Sequence, residues 1–276
     1  MRKLNLAVVG VTGAVGRTVL EVLNERKLPI ANLYPLASTN SAGKTVKYAG
    51  QEFTVLDLEH FSFVDVDIAI FSAGGSVSAK YAEIAAAEGC IVIDNTSHFR
   101  NENDIPLVVP EVNRECIAEY SKRNIIANPN CSTIQMVVAL KPLHDVAEIM
   151  RINVATYQAV SGSGQKAIDE LIHQMTELLN GRPIEPQVYP QQIAFNVLPH
   201  IDTFQENGYT REEMKMVWET QKIFGNADIL VNPTTVRVPV LYGHSEAINV
   251  EFKKPLHVSD ARSLLEKAES VAVIDD

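Results

Sequence analysis

The chain has 276 residues, of which 46% are hydrophobic and 21% are charged, and its formal net charge is −10 at pH 7. This length predicts two domains, or one large one, with full apolar cores. The negative charge disfavours binding to nucleic acid or to an anionic membrane, although it is compatible with a local cationic site for a small anion. We therefore expect small molecules, and neither nucleic acid nor a membrane, as partners.

The cysteines Cys90, Cys116 and Cys131 are scattered and odd in number. They do not form the disulfide framework of a small secreted protein, so we expect a reducing compartment. Their spacing matches no metal site, and no metal is predicted. A long apolar signal region and a run of transmembrane length are both missing, which favours a cytoplasmic location.

The first strand and the turn after it predict a dinucleotide site. Leu4–Val9 is a nearly continuous apolar run, as expected for a parallel strand covered on both faces. It leads into Gly10-Val11-Thr12-Gly13-Ala14-Val15-Gly16 and then into an amphipathic helix that ends near Arg26. Strand, glycine turn and helix N-terminus together cradle a pyrophosphate. The spacing G-x-x-G-x-x-G differs from the usual G-x-G-x-x-G, so a purely structural turn is the alternative.

The end of the second predicted strand, Leu33–Ala37, bears on the choice between NAD and NADP. NAD sites usually place a carboxylate there for the ribose 2′-hydroxyl. This chain has hydroxyl donors and no acid in Ser38-Thr39-Asn40-Ser41-Ala42-Gly43-Lys44. The pattern favours a 2′-phosphate and hence NADP. A simple polar turn is the alternative, because no arginine is present to bind the phosphate.

Two further predicted strands also end in polar turns. Asp67–Phe71 runs into Ser72-Ala73-Gly74-Gly75-Ser76, and Cys90–Asp94 runs into Asn95-Thr96-Ser97-His98-Phe99-Arg100. The carboxyl ends of parallel strands face the ligand crevice of an open α/β sheet, so we place the glycine-rich turn beside the nicotinamide. Arg100 can bind an anion in a bidentate manner. Cys90 and Cys116 are predicted to lie in the core.

The turn Asn128-Pro129-Asn130-Cys131-Ser132-Thr133 brings a cysteine to the start of a predicted helix. Pro129 ends the preceding apolar run, and Ser132 and Thr133 are suitable capping residues for the apolar-periodic run that follows. The helix macrodipole would lower the pKa of the Cys131 thiol and make it a nucleophile. The alternative is a small buried hydrophobic residue.

The pattern changes after residue 150. Arg151–Val160 alternates with period two, which predicts a strand in a sheet with unlike faces. A helix is predicted from Gln165 to Leu179, and a second begins with a capping box formed by Thr210 and Glu213. The remaining elements are two paired strands, at Ile229–Val240 and Ser245–Phe252, and a last helix at Ser259–Lys267.

Taken together, these motifs occur in the order in which they occur in one enzyme family, between residue 4 and about residue 252. The chain resembles the bacterial aspartate-semialdehyde dehydrogenases. Three turns match the family: Gly10–Gly16, Ser72–Ser76 and Asp94-Asn95-Thr96-Ser97. Besides these and the Cys131 turn, the matching segments are Val109-Pro110-Glu111-Val112-Asn113, Tyr157-Gln158-Ala159-Val160-Ser161-Gly162, Glu212-Glu213-Met214-Lys215, Val236-Arg237-Val238-Pro239 and Gly243-His244-Ser245.

The resemblance implies an α/β fold with a Rossmann-type, doubly wound parallel sheet in an NADP-binding domain over residues 1–130. Residues 131–276 would form an α+β catalytic and dimerisation domain with a mixed sheet. The implied reaction is the NADPH-dependent reductive dephosphorylation of aspartyl 4-phosphate to aspartate 4-semialdehyde, a step towards lysine, threonine and methionine. A homodimer or a homotetramer, built through the sheet of the second domain, is also implied.

Site roles follow from the resemblance position by position. Cys131 would form the acyl-thioester, His244 would be the acid/base that takes the thiol proton, and Gln158 would orient the substrate. Substrate or phosphate would be bound by Arg100, Asn130, Glu212, Lys215 and Arg237. Cofactor contacts are expected at Gly10, Thr12, Gly13, Ala14, Val15, Ser38, Thr39, Asn40, Ser41, Ser72, Ala73, Gly74, Asn95, Ser161 and Gly162.

The chemistry of these residue types agrees with the implied reaction. A thiolate attacks an acyl phosphate readily, and the resulting thioester still accepts hydride.

Two departures from the family pattern bear on the expected cofactor and on the length of the chain. Asn40 stands where many relatives have an arginine, which weakens the NADP prediction, and the relatives continue well beyond residue 276, which suggests a truncated chain.

Two other functions are compatible with parts of the pattern. An N-acetyl-γ-glutamyl-phosphate reductase would have a similar fold and similar chemistry, although the segments around Gln158 and Lys215 disfavour it. The second alternative is a non-catalytic, NADP-binding relative of the enzyme. Only the apparent absence of the family's C-terminal segment supports it.

Overall fold

The computed structural model describes residues 2–275. The chain divides into two compact units. The first, which we call the nucleotide unit, runs to Val108 and includes Glu115–Pro129. The second, the catalytic unit, comprises Val109–Arg114 and the chain from Asn130 onwards. Within residues 2–275, no helix combines the length and the apolar character needed to cross a membrane.

The nucleotide unit is built on a parallel sheet of six strands in the order β5-β2-β1-β6-β7-β8. The strands are β1 (Leu4–Val9), β2 (Ile30–Ala37), β5 (Leu56–Asp57), β6 (Ile68–Phe71), β7 (Ile91–Asp94) and β8 (Ile125–Ala127). Ala7, Val8 and Val9 in the centre are completely buried. Strands covered on both faces read as continuous apolar runs, and the predicted Rossmann-type sheet is confirmed.

Helices and a hairpin surround the sheet of this unit, and short 3₁₀ segments lie at Thr39–Ser41, Leu58–His60 and Arg114–Lys122. Helix α1 (Ala14–Glu25) follows β1, and α2 (Gly75–Ala87) follows β6. Leu20 and Leu23 of α1 belong to the apolar core that includes Leu6 and Val8 of β1. A 3₁₀ turn at Thr39–Ser41 precedes the antiparallel hairpin of β3 (Thr45–Tyr48) and β4 (Gln51–Thr54). The apolar face of α1 therefore holds the glycine turn against the sheet.

The catalytic unit contains a mixed sheet of three strands, β9 (Ile149–Gln158), β10 (Leu230–Arg237) and β11 (Ser245–Phe252). Strand β9 lies in the middle, parallel to β10 and antiparallel to β11. The predicted direct pairing of the last two strands is wrong. The segment between them runs past the end of β9, where Val160 N donates a hydrogen bond to Val240 O at 2.9 Å, instead of folding back as a hairpin.

The helices of the catalytic unit are α3 (Pro110–Asn113), α4 (Cys131–Ala147), α5 (Gln165–Leu179), α6 (Arg211–Phe224) and α7 (Val258–Lys267). Met136 of α4 and Met216 of α6 share one apolar core with Ile152 of β9. The predicted capping box of α6 is confirmed: Thr210 Oγ1 accepts from Glu213 N at 3.2 Å, and Thr210 N donates to Glu213 Oε2 at 2.7 Å. These elements fix one end of α4 beside the ends of β9 and β10.

Candidate active site

Cys131 is the first residue of α4 and its side chain is exposed. The N-cap is Asn130, whose Oδ1 accepts hydrogen bonds from Ser132 N at 3.0 Å and Thr133 N at 3.4 Å. The prediction that Ser132 and Thr133 cap the helix is therefore wrong; both hydroxyls are buried without a hydrogen-bond partner. Asparagine is among the best N-cap residues, and its position one residue earlier places the thiol at the positive end of the helix macrodipole.

His244 is held directly against the thiol. Its Nε2 lies 3.1 Å from Cys131 Sγ, and its Nδ1 accepts a hydrogen bond from Ala159 N at 3.0 Å. A ring nitrogen that accepts from a backbone N–H carries no proton, so the neutral ring has its proton on Nε2, towards the sulfur. Burial, reinforced by the charge of Arg237, lowers the pKa of His244 below its usual value. The ring is therefore neutral at neutral pH.

Glu212 joins three of the predicted substrate residues. Its Oε1 accepts from Asn130 Nδ2 and Gln158 Nε2, both at 3.0 Å, and its Oε2 accepts from Lys215 Nζ at 3.0 Å. The residue is only 6% exposed. Burial alone would raise the pKa of Glu212, but Lys215 and the two amide donors lower it below its usual value. The carboxylate is thus charged and fixed from three sides.

Lys215 binds a second carboxylate, from Asp202, at 2.8 Å. Burial would lower the pKa of Lys215, but the two carboxylates raise it above its usual value, so the lysine remains charged. Asp202 lies in an irregular segment that offered no sequence signal. A charged Lys215 between two carboxylates is positioned before any ligand arrives.

Gln158 and Arg237 end two neighbouring parallel strands and are paired in register. Gln158 Oε1 accepts from Thr156 Oγ1 at 3.0 Å, which fixes the orientation of the amide. Arg237 is 5% exposed, and its Nη1 donates to Ala159 O at 2.8 Å. A Cβ atom on Gly162 would lie 3.0 Å from Arg237 Nη1 and 3.5 Å from His244 Nε2, so glycine leaves space beside both groups.

The glycine turn of the nucleotide unit requires its glycines. Gly10 has φ +86°, and a Cβ atom there would lie 2.8 Å from Ala73 N. A Cβ atom on Gly16 would lie 2.3 Å from Gly10 O. The backbone therefore approaches itself closely at the N-terminus of α1, as the cradle for a dinucleotide pyrophosphate requires.

A cavity of about 420 Å³ adjoins this turn, and we call it the cofactor cavity. The predicted cofactor residues that line it are Gly10, Thr12, Gly13, Ser38, Thr39, Ser72 and Ala73. Ser41 lines an adjoining cavity instead, whereas Ala14, Val15, Asn40 and Gly74 line neither. The glycine-turn backbone and the hydroxyl groups in this lining fit a nucleotide.

Sequence reasoning missed an acid in the cofactor cavity. Asp57 ends β5 and is paired in parallel register with Ala37, the last residue of β2. Its Oδ1 accepts a hydrogen bond from Thr39 Oγ1 at 3.3 Å. The carboxylate that is absent after the second strand is thus present on the neighbouring strand.

The remaining predicted residues occupy separate positions. Arg100 is buried in the nucleotide unit, where its Nη2 donates to Asn95 O at 3.2 Å. Asn95 Oδ1 accepts from Asn128 Nδ2 at 2.6 Å. Ser161 belongs to a 3₁₀ turn in the catalytic unit, at Val160–Ser163. Of the two predicted core thiols, Cys90 is fully buried, with a pKa that burial raises to about 12, and Cys116 is only partly buried.

Comparison with known proteins agrees with this division into a nucleotide site and a reactive thiol site. The family model for the semialdehyde dehydrogenase NAD binding domain matches residues 5–120, and the model for the semialdehyde dehydrogenase dimerisation domain matches residues 140–276. An aspartate-semialdehyde dehydrogenase of Legionella pneumophila is 65% identical over 275 residues, which are 100% of this chain and 79% of the relative. The chain belongs to the aspartate-semialdehyde dehydrogenase family. A relative from Shewanella sp. (strain DB6705) is 60% identical and is covered to 81%.

Solved structures of aspartate-semialdehyde dehydrogenases share the fold. The Vibrio cholerae aspartate semialdehyde dehydrogenase II complexed with ASA has a TM-score of 0.96 and 58% identity, over 98% of this chain and 80% of that one. The Candida albicans enzyme with NADP has a TM-score of 0.72 and 25% identity, over 96% of this chain and 76% of that one.

These findings establish the class of the protein. It is an aspartate-semialdehyde dehydrogenase, an oxidoreductase of amino-acid biosynthesis that uses a nicotinamide cofactor and a small-molecule substrate. The reduction of N-acetyl-γ-glutamyl phosphate and a non-catalytic role, the alternatives from the sequence, are not favoured by relatives of this identity. The catalytic unit includes the family's dimerisation domain, which favours an oligomer.

Proposed function

We propose that Cys131 forms the thioester through which the chain converts aspartyl 4-phosphate to aspartate 4-semialdehyde. The observation that supports this proposal is the 3.1 Å contact between Cys131 Sγ and His244 Nε2 at the start of α4. A helix N-terminus and a hydrogen-bond donor both stabilise a thiolate. The thiolate attacks the acyl carbon, the bond from that carbon to the phosphate oxygen breaks, and phosphate leaves.

His244 acts through Nε2. With Nδ1 occupied by the Ala159 N–H, the neutral ring donates from Nε2, first to the sulfur and then to the oxyanion that develops on the acyl carbon. The sequence suggested instead that the ring takes the thiol proton. In this tautomer the thiol proton leaves to solvent, and the ring keeps its own.

The bound nicotinamide cofactor supplies the hydride that reduces the thioester. The tetrahedral oxyanion then collapses, the carbon–sulfur bond breaks, and the aldehyde leaves while the thiolate is regenerated. Because the thiolate is both the attacking and the leaving group, the residues around it must exclude competing nucleophiles and hold the acyl carbon in one orientation.

The substrate's charged groups are proposed to bind around Glu212. Arg237 would bind the carboxylate in a bidentate manner, and the Glu212 carboxylate would accept from the substrate's amino group. Gln158, fixed by Thr156, would orient the acyl group. Lys215, Arg100 and Asn130 would bind phosphate. The Asn130 amide nitrogen donates one hydrogen bond to Glu212, and its second hydrogen is the one that would bind phosphate.

NADP is the proposed form of the cofactor. The hydroxyl groups of Ser38 and Thr39 line the cofactor cavity and suit a phosphorylated ribose. The Candida albicans relative is solved with NADP. Asp57 in the same cavity suits the free 2′-hydroxyl of NAD instead, so we expect a preference rather than exclusion.

A homodimer through the outer face of the β10-β9-β11 sheet is the proposed assembly, in agreement with the matching dimerisation domain. Tyr157 and Leu230 on these strands are 46% and 52% exposed. In the register of β9 and β10, Leu230 lies opposite Arg151 and Tyr157 opposite Val236, so the two apolar side chains lie at opposite ends of one sheet face. Exposed large apolar groups on one sheet face are typical of a subunit interface. Tyr157→Glu should therefore give a monomer in sedimentation velocity, and an unchanged dimer would exclude this face.

The cytoplasm is the proposed location, because the three cysteines are free thiols.

Mass spectrometry of the acyl-enzyme tests the proposed chemistry. The chain is incubated with aspartate semialdehyde and NADP without phosphate, so that the acyl group remains on the enzyme, and is then digested. Without phosphate, we expect about one equivalent of NADPH per chain and a mass increase on the peptide that contains Cys131, because hydride transfer to NADP forms the thioester. Added phosphate should release the acyl group as aspartyl 4-phosphate and allow further NADPH formation. An adduct on Cys116, or NADPH formation without any adduct, would exclude Cys131 as the nucleophile. N-acetylglutamate semialdehyde serves as the control substrate.

A further inference from the structure

Two cavities of the nucleotide unit meet at Thr12, which lines both of them. One is the cofactor cavity. The other has a volume of about 720 Å³, and we call it the cationic cavity. Ser38 and Thr39 line the first, whereas Ser41 and Lys44 line the second. The turn after β2 therefore contributes to both cavities.

The two cavities differ in charge. The charged side chains that line the cofactor cavity are Asp57 and Glu59, and no cation is among its lining residues. The cationic cavity is lined by Arg17, Lys44 and Lys47, with Glu21 as its acid. A 2′-phosphate carries close to two negative charges, so Asp57 repels it and the cationic cavity attracts it.

Among the three cations, Lys44 has the most defined position. Its Nζ lies 3.4 Å from Ser41 Oγ, on the turn that follows the second strand. Its backbone is held as well, because Lys44 O accepts from Val55 N at 2.8 Å and Val55 is buried. None of the three cations is engaged in an ion pair within residues 2–275. The positive charge is therefore available to a ligand.

We propose that Lys44 is the residue that selects the 2′-phosphate of NADP. Asn40 stands where many relatives have an arginine. Lys44, four residues later in the same turn, would thus supply the positive charge that Asn40 lacks. This inference rests on the proposed use of NADP. A single ammonium group binds phosphate as a point charge, without the bidentate geometry of arginine, and Asp57 remains available to the 2′-hydroxyl of NAD. The selectivity should therefore be moderate.

Calorimetry with two nucleotides tests the proposal without catalysis. Adenosine 2′,5′-bisphosphate carries the 2′-phosphate, and adenosine 5′-monophosphate lacks it. We expect Lys44→Gln to weaken binding of the bisphosphate by about tenfold or more, the effect of losing a charged hydrogen bond, and to leave binding of the monophosphate within about twofold. Equal weakening of both nucleotides would overturn the proposal.

Lys47→Gln is the matched control, since Lys47 lines the same cavity and loses the same charge. It should leave both affinities nearly unchanged. If Lys47→Gln weakens the bisphosphate as much as Lys44→Gln does, the effect is general electrostatics and Lys44 has no special role. Thermal melts establish that both variants fold, which is expected because both side chains are exposed.

Steady-state kinetics separate this inference from the proposed function. The wild type is assayed with aspartate semialdehyde, phosphate and either NADP or NAD, and the two rates are compared. The variant Lys44→Gln should raise the KM for NADP about tenfold relative to the KM for NAD. Equal use of NAD and NADP by the wild type would overturn the assignment of Lys44 while leaving the dehydrogenase activity intact. If neither cofactor is reduced, the proposed function fails, and the calorimetry still decides on Lys44.

Discussion

The polar side chains near Cys131 hold one another, whereas the charged side chains near the glycine turn have few partners. In the catalytic unit, Glu212 receives hydrogen bonds from Asn130, Gln158 and Lys215, each at 3.0 Å. In the nucleotide unit, the Lys44 side chain makes one hydrogen bond within residues 2–275, to Ser41 Oγ at 3.4 Å. Acyl transfer requires groups that are fixed before the substrate binds, because reorganisation during the reaction would raise the barrier.

This difference predicts different consequences of mutation in the two units. Removing one member of the Glu212 network leaves a buried donor or acceptor without its partner, so stability and catalysis change together. Removing a cation of the open cationic cavity leaves nothing buried and unsatisfied, so only ligand affinity changes. The variants below probe this contrast in the catalytic unit.

The largest effect is expected for Cys131→Ala. Without the thiolate no thioester forms, and kcat for the phosphate-dependent oxidation of aspartate semialdehyde should fall by about 10⁴-fold or more. The measurement is NADPH formation followed by absorbance, together with a thermal melt. Cys116→Ala is the control, because Cys116 is a partly buried thiol outside the site. A Cys131→Ala variant that retains turnover would show that the 3.1 Å Cys131–His244 contact has another purpose.

The next largest effect is expected for Glu212→Ala. The change leaves Asn130, Gln158 and Lys215 without their shared acceptor, and breaking a buried charged network costs about 3–5 kcal/mol of unfolding free energy. Urea denaturation measures this loss. Glu148→Ala is the comparison, because Glu148 binds Lys253 and Lys254 at the surface and its removal should leave the unfolding free energy nearly unchanged. Equal losses of unfolding free energy in the two variants would mean that the network around Glu212 stabilises the fold no more than a surface ion pair does.

A smaller effect is expected on the titration of His244. Burial and, after it, the charge of Arg237 lower the pKa of this ring below 6.5, so it is neutral and donates from Nε2 at neutral pH. Protonation at lower pH would place a hydrogen on Nδ1, facing the Ala159 N–H, and the acid limb of kcat/KM should therefore lie below pH 6.5.

Arg237→Gln sharpens that prediction. Removing the positive charge should raise the pKa of His244, and NMR titration of the ring nitrogens in the variant would measure the shift directly. Arg151→Gln is the control, because Arg151 pairs with Glu251 and is not among the charges that act on the ring. An unchanged titration in Arg237→Gln would leave burial as the sole cause of the lowered pKa.

Features that depend on neighbouring residues could be predicted from the sequence. The glycine turn follows an apolar strand, and the helix at Cys131 follows a proline, so both were located from a few consecutive residues. The position of the cap was wrong because Asn130, Ser132 and Thr133 all suit an N-cap, and only the folded backbone selects the first. The family resemblance supplied Glu212 and Arg237, which composition and spacing would not have singled out.

Features that depend on distant residues could not be predicted in this way. Two strand patterns separated by a glycine resemble a hairpin, and nothing in their sequence shows that β9 lies between them. Asp57 reaches the end of β2 only through the pairing of β5 with β2. Ala159 holds His244 through its backbone N–H, which every residue except proline possesses. Non-local pairing and backbone contacts leave no signal in a single sequence.

The smallest effect concerns Glu246, a carboxyl group of the catalytic unit that lies outside the Glu212 network. Both of its carboxyl oxygens are buried, and neither has a hydrogen-bond partner among the residues that the structure describes. Burial raises the pKa of Glu246 from 4.5 to about 7, and the side chain of Gln135 acts in the opposite direction. Between these two pH values the folded state keeps a proton that the unfolded state releases, so this group's contribution to stability is lost as the pH rises through about 7.

Glu246→Gln removes the titrating group and keeps the shape of the side chain. The melting temperature of the variant should equal that of the wild type near pH 4.5 and exceed it by about 5 °C above pH 7, where the wild type carries an unpaired buried charge. Glu251→Gln, on the exposed face of the same strand, should show no such pH dependence. A difference that is constant from pH 4.5 to pH 8 would mean that the Glu246 carboxyl finds a partner or reaches water, and that its pKa is not raised by burial.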